Sequence, residues 1–313
     1  MTTTVQRRPP AGTAGGRRLP TRIHRARHTR TGYLFVAPFL VVFVTMLLVP
    51  LGYAAYLSLF RQQLIGGTVF VGLDNYVRAL TDEQFIGGVL RVGRFFLVQV
   101  PIMLLLALFF ALALDSGLLR LTRVVRLGIF IPFAVPSVIA ALMWGYLYGR
   151  EFGLVAQLAD GIGATAPNLL GNDLMLGSLA NIVFWEFTGY NMIILYAALR
   201  AIPSELYEAA AVDGAGAWRT AWSIKIPAIR PAIVLTLIFS VIGSFQLFNE
   251  PNLLQQLAPN VIDNAYTPNL YAYNLAFVGR QLNYAAAVSF VLGLVILVAS
   301  YAFILVATRR SRS

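Results

Sequence analysis

Polar side chains are sparse between residues 31 and 308, and where they gather they suit binding better than bond breaking. Two runs stand out, Trp185-Glu186-Phe187-Thr188-Gly189-Tyr190-Asn191 and Ser244-Phe245-Gln246-Leu247-Phe248-Asn249-Glu250. Such groups are expensive inside apolar segments and face a bundle interior or an aqueous path. Amides offer donors and acceptors to the polar groups of a solute, while aromatic rings pack on its apolar faces. Glu186, Tyr190, Asn191, Gln246, Asn249 and Glu250 are therefore candidates for the wall of a solute path. The competing assignment is hydrogen bonding between helices, with Glu250 reaching toward a helix end. Trp144, Tyr146 and Tyr148 read instead as an interfacial aromatic belt.

Other chemistries lack their residues. There is no cysteine, and His24 and His28 both fall in the first tail, so neither a thiolate or imidazole metal site nor a Ser/His/Asp triad can form in the apolar region. Lys225 is the sole lysine and no glycine-rich phosphate loop accompanies it. Any active transport must draw on an ion gradient or on a partner protein.

The elements that position these residues follow from apolar length. Of 313 residues, 58% are hydrophobic and 12% charged, the latter about half the share of a soluble domain. Six nearly uncharged runs are long enough to cross a bilayer: Arg30 to Arg61, Arg94 to Asp115, Arg126 to Arg150, Asp173 to Arg200, Arg230 to Glu250 and Arg280 to Arg309. None alternates as a barrel strand does, so the expected fold is an all-α membrane protein of six transmembrane helices.

Charge sets the expected topology. Of the 24 basic residues, 18 lie in the first tail, the 120–126 loop, the segment 200–230 and the last tail; six lie in the other loops. That asymmetry places both termini and residues 201–229 in the cytoplasm and accounts for the net charge of +11 without nucleic acid. Residues 1–30 read as a disordered basic cytoplasmic tail, 31–308 as one transmembrane domain and 309–313 as a second short tail. The first apolar run is too long for a signal-peptide core and reads as an uncleaved span. In the first external loop, FVGLDNYVRAL predicts a short amphipathic helix from Asp74.

Between the fourth and fifth runs the sequence reads AIPSELYEAAAVDGAGAWRTAWSIKIPAIRPAI. Ser204 is the expected N-cap of a short helix through Leu206, Ala209, Ala210 and Val212; Gly214 and Gly216 permit a turn, and a second helical piece covers Ala217 to Ile224 ahead of Pro227. This predicts a helix-turn-helix at the membrane surface.

The spacing of Glu208, Ala209, Ala210, Gly214, Ile224 and Pro227 resembles the EAA motif of the permease subunits of binding-protein-dependent ABC importers, with Ile226 where the motif usually has leucine. The resemblance extends from about residue 31 to 308, through LFVAPFLVVFVTMLLVPLGYAAYLSLF, FIPFAVPSVIAALMWGYLY and LRAIPSELYEAAAVDGAGAWR. It favours the carbohydrate-uptake branch, similar to the maltose-system F-type and glycerol-phosphate-system A-type permeases. That implies a type I importer permease fold in a bacterial cytoplasmic membrane. Residues 201–229 then form the coupling loop that sits on an ATPase subunit, with Asp213 assisting, and Gly189 and Gln246 fall toward the sugar. The implied partners are a second homologous permease, two ATPase subunits and an extracytoplasmic solute-binding protein delivering a di- or oligosaccharide. ATP and Mg would reside on the ATPases and no cofactor on this chain, which would not itself be an enzyme.

Two departures bear on the solute: Arg91-Val92-Gly93-Arg94 replaces the family's Asn-Thr pair, and Leu-Gln-Gln-Leu-Ala-Pro-Asn replaces its Gly-Gly-Pro loop. A related permease for glycerol phosphate or a polyamine is the alternative; Glu186 and Glu250 suit a cation, and no basic residue within the runs suits an anion. A gradient-driven carrier working alone would show inverted repeats and intramembrane ion ligands, of which the sequence offers little.

Overall fold

The computed structural model describes residues 24–63, 65–117 and 119–309, so most of the expected basic tail and residues 310–313 lie outside the description. The chain divides into two units, residues 1–53 and 54–313. In the first unit α1 (His24–Phe43) runs into a π-helical turn (Val44–Leu48), and α2 (Val49–Ser58) carries the helix on into the second. The stretch Gly32–Ser58 is long and apolar enough to cross a membrane. The widened turn ends two residues before Pro50, a position that has no N–H and whose ring crowds the carbonyl one turn back.

The second unit continues with a hairpin absent from the sequence expectation, β1 (Phe60–Gln63) antiparallel to β2 (Gly67–Phe70), with Phe60 opposite Phe70. Helix α3 (Asp74–Thr81) follows as expected and buries Asn75, whose amide donates to the carbonyls of Ser58 and Phe60 at 2.8 Å each. Asp82 then starts α4 (Glu83–Asp115) as a side-chain N-cap, accepting from the N–H groups of Gln84 and Phe85. Its other oxygen accepts from the hydroxyls of Tyr271 and Tyr284 at 2.7 and 2.6 Å. One carboxylate thus fastens the start of the longest helix to two later elements.

Helix α5 (Thr122–Phe130) ends in a 3-10 turn (Ile131–Ala134), and α6 (Ser137–Leu147) leaves at 95° to it. The single helix expected over the third run is therefore broken. Pro132 and Pro136 each remove a helical donor, and Val135 and Pro136 are extended (ψ 127° and 132°). After α7 (Leu154–Gly161), α8 (Met175–Arg200) returns beside α4, the two running parallel. Toward their C-terminal ends Ala107, Ala111 and Leu114 pack against Met192, Leu195 and Leu199, with Ile229 completing the cluster. Small residues on α4 let the two backbones approach closely.

The 201–229 segment comprises α9 (Ser204–Val212), α10 (Ala217–Thr220), a π-helical turn (Ala221–Lys225) and a final turn, α11 (Ile226–Ala228). Ser204 is the first helical residue after Pro203 and caps nothing, which corrects the expected N-cap. As ahead of Pro50, the widened turn ends two residues before a proline, here Pro227, so the second piece runs through Pro227 to Ala228. Helix α12 (Arg230–Phe245) stops short and α13 (Asn249–Leu254) resumes after three residues, so the fifth run is interrupted too. Finally come α14 (Pro268–Tyr273), another π-helical turn (Asn274–Val278) and α15 (Leu282–Arg309).

Five helical stretches are long and apolar enough to cross a membrane, and the bent pair α5–α6 makes up to six. Apart from the hairpin, the described residues are helices and loops.

Candidate functional site

Backbone that leaves the helical path at membrane depth is tolerated where it is buried in protein or lines a cavity. Both interruptions obey this. At the α12–α13 break the N–H of Gln246 bonds back to Ile242 and Gly243, the Gln246 carbonyl accepts from the Asn269 amide at 3.2 Å, and the Leu247 carbonyl accepts from the Thr267 hydroxyl at 3.0 Å. Across from it, Ser137 follows the proline break between α5 and α6, and its hydroxyl oxygen accepts from the Asn249 amide at 2.8 Å.

The two breaks border a cavity of about 340 Å³. From α4 come Phe95, Gln99 and Met103, one residue per helical turn; from α8 Phe187, Tyr190 and Asn191; from α12 Ser240, Gly243 and Ser244; the break supplies Gln246, Leu247 and Phe248, and the start of α13 Asn249 and Glu250. Gln99 and Asn191 are 1% and 2% exposed. Both donate to the Met103 sulfur, at 3.3 and 3.7 Å, and Asn191 also donates to the Phe187 carbonyl at 3.0 Å. Their amide oxygens have no partner among the described residues. Ser240 and Ser244 spend their hydroxyl protons on carbonyls of their own helix. The unused hydrogen-bonding capacity of the polar residues from α4, α8 and α12 is thus mainly acceptor, the kind that O–H donors satisfy. Tyr190 is stacked on Phe133, ring centroids 4.7 Å apart. No group of three or more His, Cys, Asp or Glu able to hold a metal occurs among the described residues.

Of the residues expected on a solute path, Tyr190, Asn191, Gln246, Asn249 and Glu250 line this cavity; Glu186 and Gly189 do not. They lie one position round α8 from Phe187 and Tyr190, a rotation of about 100°. Gly189 serves packing: a Cβ there would overlap the Ile129 carbonyl of α5. Glu186 is buried, with one carboxyl oxygen unpartnered. Gln99, Met103, Ser137 and Ser240 were not anticipated. Gln99 had a signal, being the one amide in the apolar stretch between Arg94 and Asp115. Tyr148 corrects the aromatic belt: it is buried, donates to the Ser178 carbonyl at 3.2 Å and accepts from Asn181 at 2.7 Å, while the Trp144 ring contacts it and Trp185. Only Tyr146 stays exposed.

At the far end of α4 and α8, the 201–229 segment forms a second surface. Gly214 adopts φ +70°, where a side chain would be strained, and closes α9: its N–H bonds to Ala211 and that of Ala215 to Ala210, the paired bonds of a Schellman cap. Gly216 has φ −68° and needs no such freedom. Ala210 is buried against the body, whereas Glu208, Ala209, Asp213 and Gly214 are exposed and Ile224 and Pro227 half-buried. Val212 and Trp218 are 88% and 77% exposed, and Trp222 packs edge-on to Trp218. On the side facing the helices, the Lys225 ammonium donates to the Asp115 carboxylate at 2.6 Å and sits 5.2 Å from the Tyr207 ring centroid. Burial and the nearby Asp115 charge push the Tyr207 phenol up, against a smaller opposing effect of Arg200.

Comparison with known proteins bears on the family and the fold of the chain. Residues 103–312 match the family model described as binding-protein-dependent transport system inner membrane component. The chain is 34% identical over 276 residues to the lactose transport system permease protein LacF of Rhizobium radiobacter, covering 86% of this chain and 91% of that one. It is 31% identical over 278 residues to the arabinooligosaccharides transport system permease protein AraP of Bacillus subtilis, covering 86% and 85%. In fold it is similar to a chain of a bacterial ABC transporter involved in the import of the acidic polysaccharide alginate, with a TM-score of 0.79 at 22% identity over 90% of this chain and 96% of that one.

Proposed function

Because the chain belongs to the family of binding-protein-dependent transport system inner membrane components, we propose that it is one permease subunit of an ATP-driven importer of a neutral di- or oligosaccharide. The observation that carries the choice of solute is the cavity between α4, α8 and α12, whose lining includes Gln99 and Asn191, two amides with buried oxygens that have no partner among the described residues, together with aromatic rings. Hydroxyl groups of a sugar satisfy those acceptors, and Phe187, Tyr190 and Phe248 suit the apolar faces of its rings. The names of the relatives, permeases for arabinooligosaccharides and lactose, support the same class.

In this reading a second, homologous permease completes the path, an extracytoplasmic binding protein delivers the solute, and two ATPase subunits hold ATP and Mg. Both termini and residues 201–229 face the cytoplasm, where Glu208, Ala209, Asp213 and Gly214 meet an ATPase. Closure of the ATPases moves the loop, and the helices rock between inward- and outward-facing states around the cavity. A solute bound equally by both states shifts nothing, so the delivery protein must favour the ATP-competent one. Glu250 on the cavity wall favours a second reading, a cationic solute such as a polyamine.

Proteoliposomes carrying the chain with a second permease, ATPases and a binding protein taken from candidate neighbouring genes test both. ATP-dependent uptake of labelled oligosaccharides, unaffected by excess spermidine, is the expected result. Uptake that spermidine abolishes selects the cationic solute, and uptake that follows an ion gradient without ATP rejects the importer mechanism.

A further inference from the structure

Three helices supply most of the cavity wall, and they are not equally attached to the 201–229 loop. α8 enters the loop directly through Arg200, and α12 leaves it at Arg230, so both are joined to it covalently. α4 is not: its end at Asp115 lies 110 residues away in sequence from Lys225, the loop residue it touches. We propose that the ion pair between Lys225 and Asp115 is the link through which the loop moves α4, and with it the Phe95, Gln99 and Met103 face of the cavity. This rests on the reading that residues 201–229 dock an ATPase.

The geometry suits transmission. The pair is 2.6 Å long, with side chains only 14% and 6% exposed, so separating it would strand two charges away from water. The apolar packing beside it, one cluster of Ala107, Ala111 and Leu114 with Met192, Leu195, Leu199 and Ile229, is non-directional and can slide. Lys225 lies in the π-helical turn and Tyr207 in α9, so both halves of the loop converge on the point where Asp115 is held. From Asp115 the helix runs unbroken to Met103, about 18 Å along its axis. Lys225 is the chain's one lysine. Its ammonium is a compact point charge on a flexible stem, which can stay paired while the loop turns.

The test uses the whole complex in proteoliposomes, reading ATPase capture and solute taken up per ATP hydrolysed for Asp115→Asn, Lys225→Met, the conservative Lys225→Arg and the reversed pair Asp115→Lys/Lys225→Asp. The expected result is that the two neutralised variants still capture the ATPase but lose about tenfold or more in uptake per ATP, a typical coupling between sites. Lys225→Arg and the reversed pair recover most of the loss. Neutralised variants with native uptake per ATP overturn the proposal. So does a parallel loss of hydrolysis and uptake that the reversed pair fails to restore, which is the mark of a purely structural pair. Failure of the docking reading would show separately, as a native chain that captures no ATPase.

Discussion

The Asn249 amide donates a 2.8 Å hydrogen bond to the Ser137 hydroxyl, and this bond joins the two interrupted spans at the edge of the cavity. Ser137→Ala leaves the part-buried Asn249 donor without its partner, an effect of about 1–3 kcal/mol. Thermal unfolding of the detergent-solubilised protein should fall accordingly, and an unchanged midpoint would remove this bond as the fastening of the two breaks.

Two glycines of one helix make a controlled comparison. A Cβ at Gly189 meets the Ile129 carbonyl, while one at Gly177 meets nothing within 4 Å. Gly189→Ala should destabilise by about 1–3 kcal/mol through forced separation of α8 from α5. Gly177→Ala should be neutral or slightly stabilising, since alanine is the better helix former. Yield and unfolding midpoint of the two variants decide the matter; equal behaviour would mean that α5 yields freely.

Asp82 gives a pH dependence with a definite sign. Burial pushes its carboxyl up, but hydrogen bonds from Tyr284, Tyr271 and the N–H groups of Phe85 and Gln84 outweigh it and hold the group below its ordinary value. A carboxylate depressed by folding contributes stability that is fully present above its unfolded value and is lost as pH falls through the folded one. Asp82→Asn should therefore unfold at lower temperature than the native chain near neutrality, and the gap should close as acid protonates the native carboxylate. A gap constant from neutral to acid pH would mean that the charge is irrelevant to the cap.

Gln99→Leu removes an amide whose oxygen has no partner among the described residues and whose donor reaches a thioether sulfur. The change should leave the unfolding midpoint nearly untouched. It should raise the KM for a neutral oligosaccharide by about tenfold, the value of one hydrogen bond to a solute hydroxyl. An unchanged KM would take Gln99 off the solute's path.

The apolar runs and the 201–229 segment were legible because length and charge report them directly. The breaks were not. Hydropathy counts apolar residues without sensing direction, so Pro132 and Pro136, and the stretch Gln246–Phe248, passed as parts of intact spans. The face of α8 was only half legible, since a seven-residue polar run covers about two turns and cannot say which side meets the cavity. That is why Tyr190 and Asn191 line it while Glu186 and Gly189 do not. Gln99 stood alone, where attention to clusters overlooks it. The Lys225–Asp115 pair joins residues 110 apart, a relation no local spacing reveals.

The four tryptophans fall into two touching pairs. Trp144 and Trp185 meet between α6 and α8, and Trp218 and Trp222 meet on the open side of the 201–229 segment. The second pair is exposed and the first half-buried, so their emission should separate by wavelength and by access to a water-soluble quencher. The chain thus carries an intrinsic optical reporter: shielding of the red-shifted pair follows occupation of the loop, and the blue-shifted pair reads the body of the bundle at the same time, without any label attached.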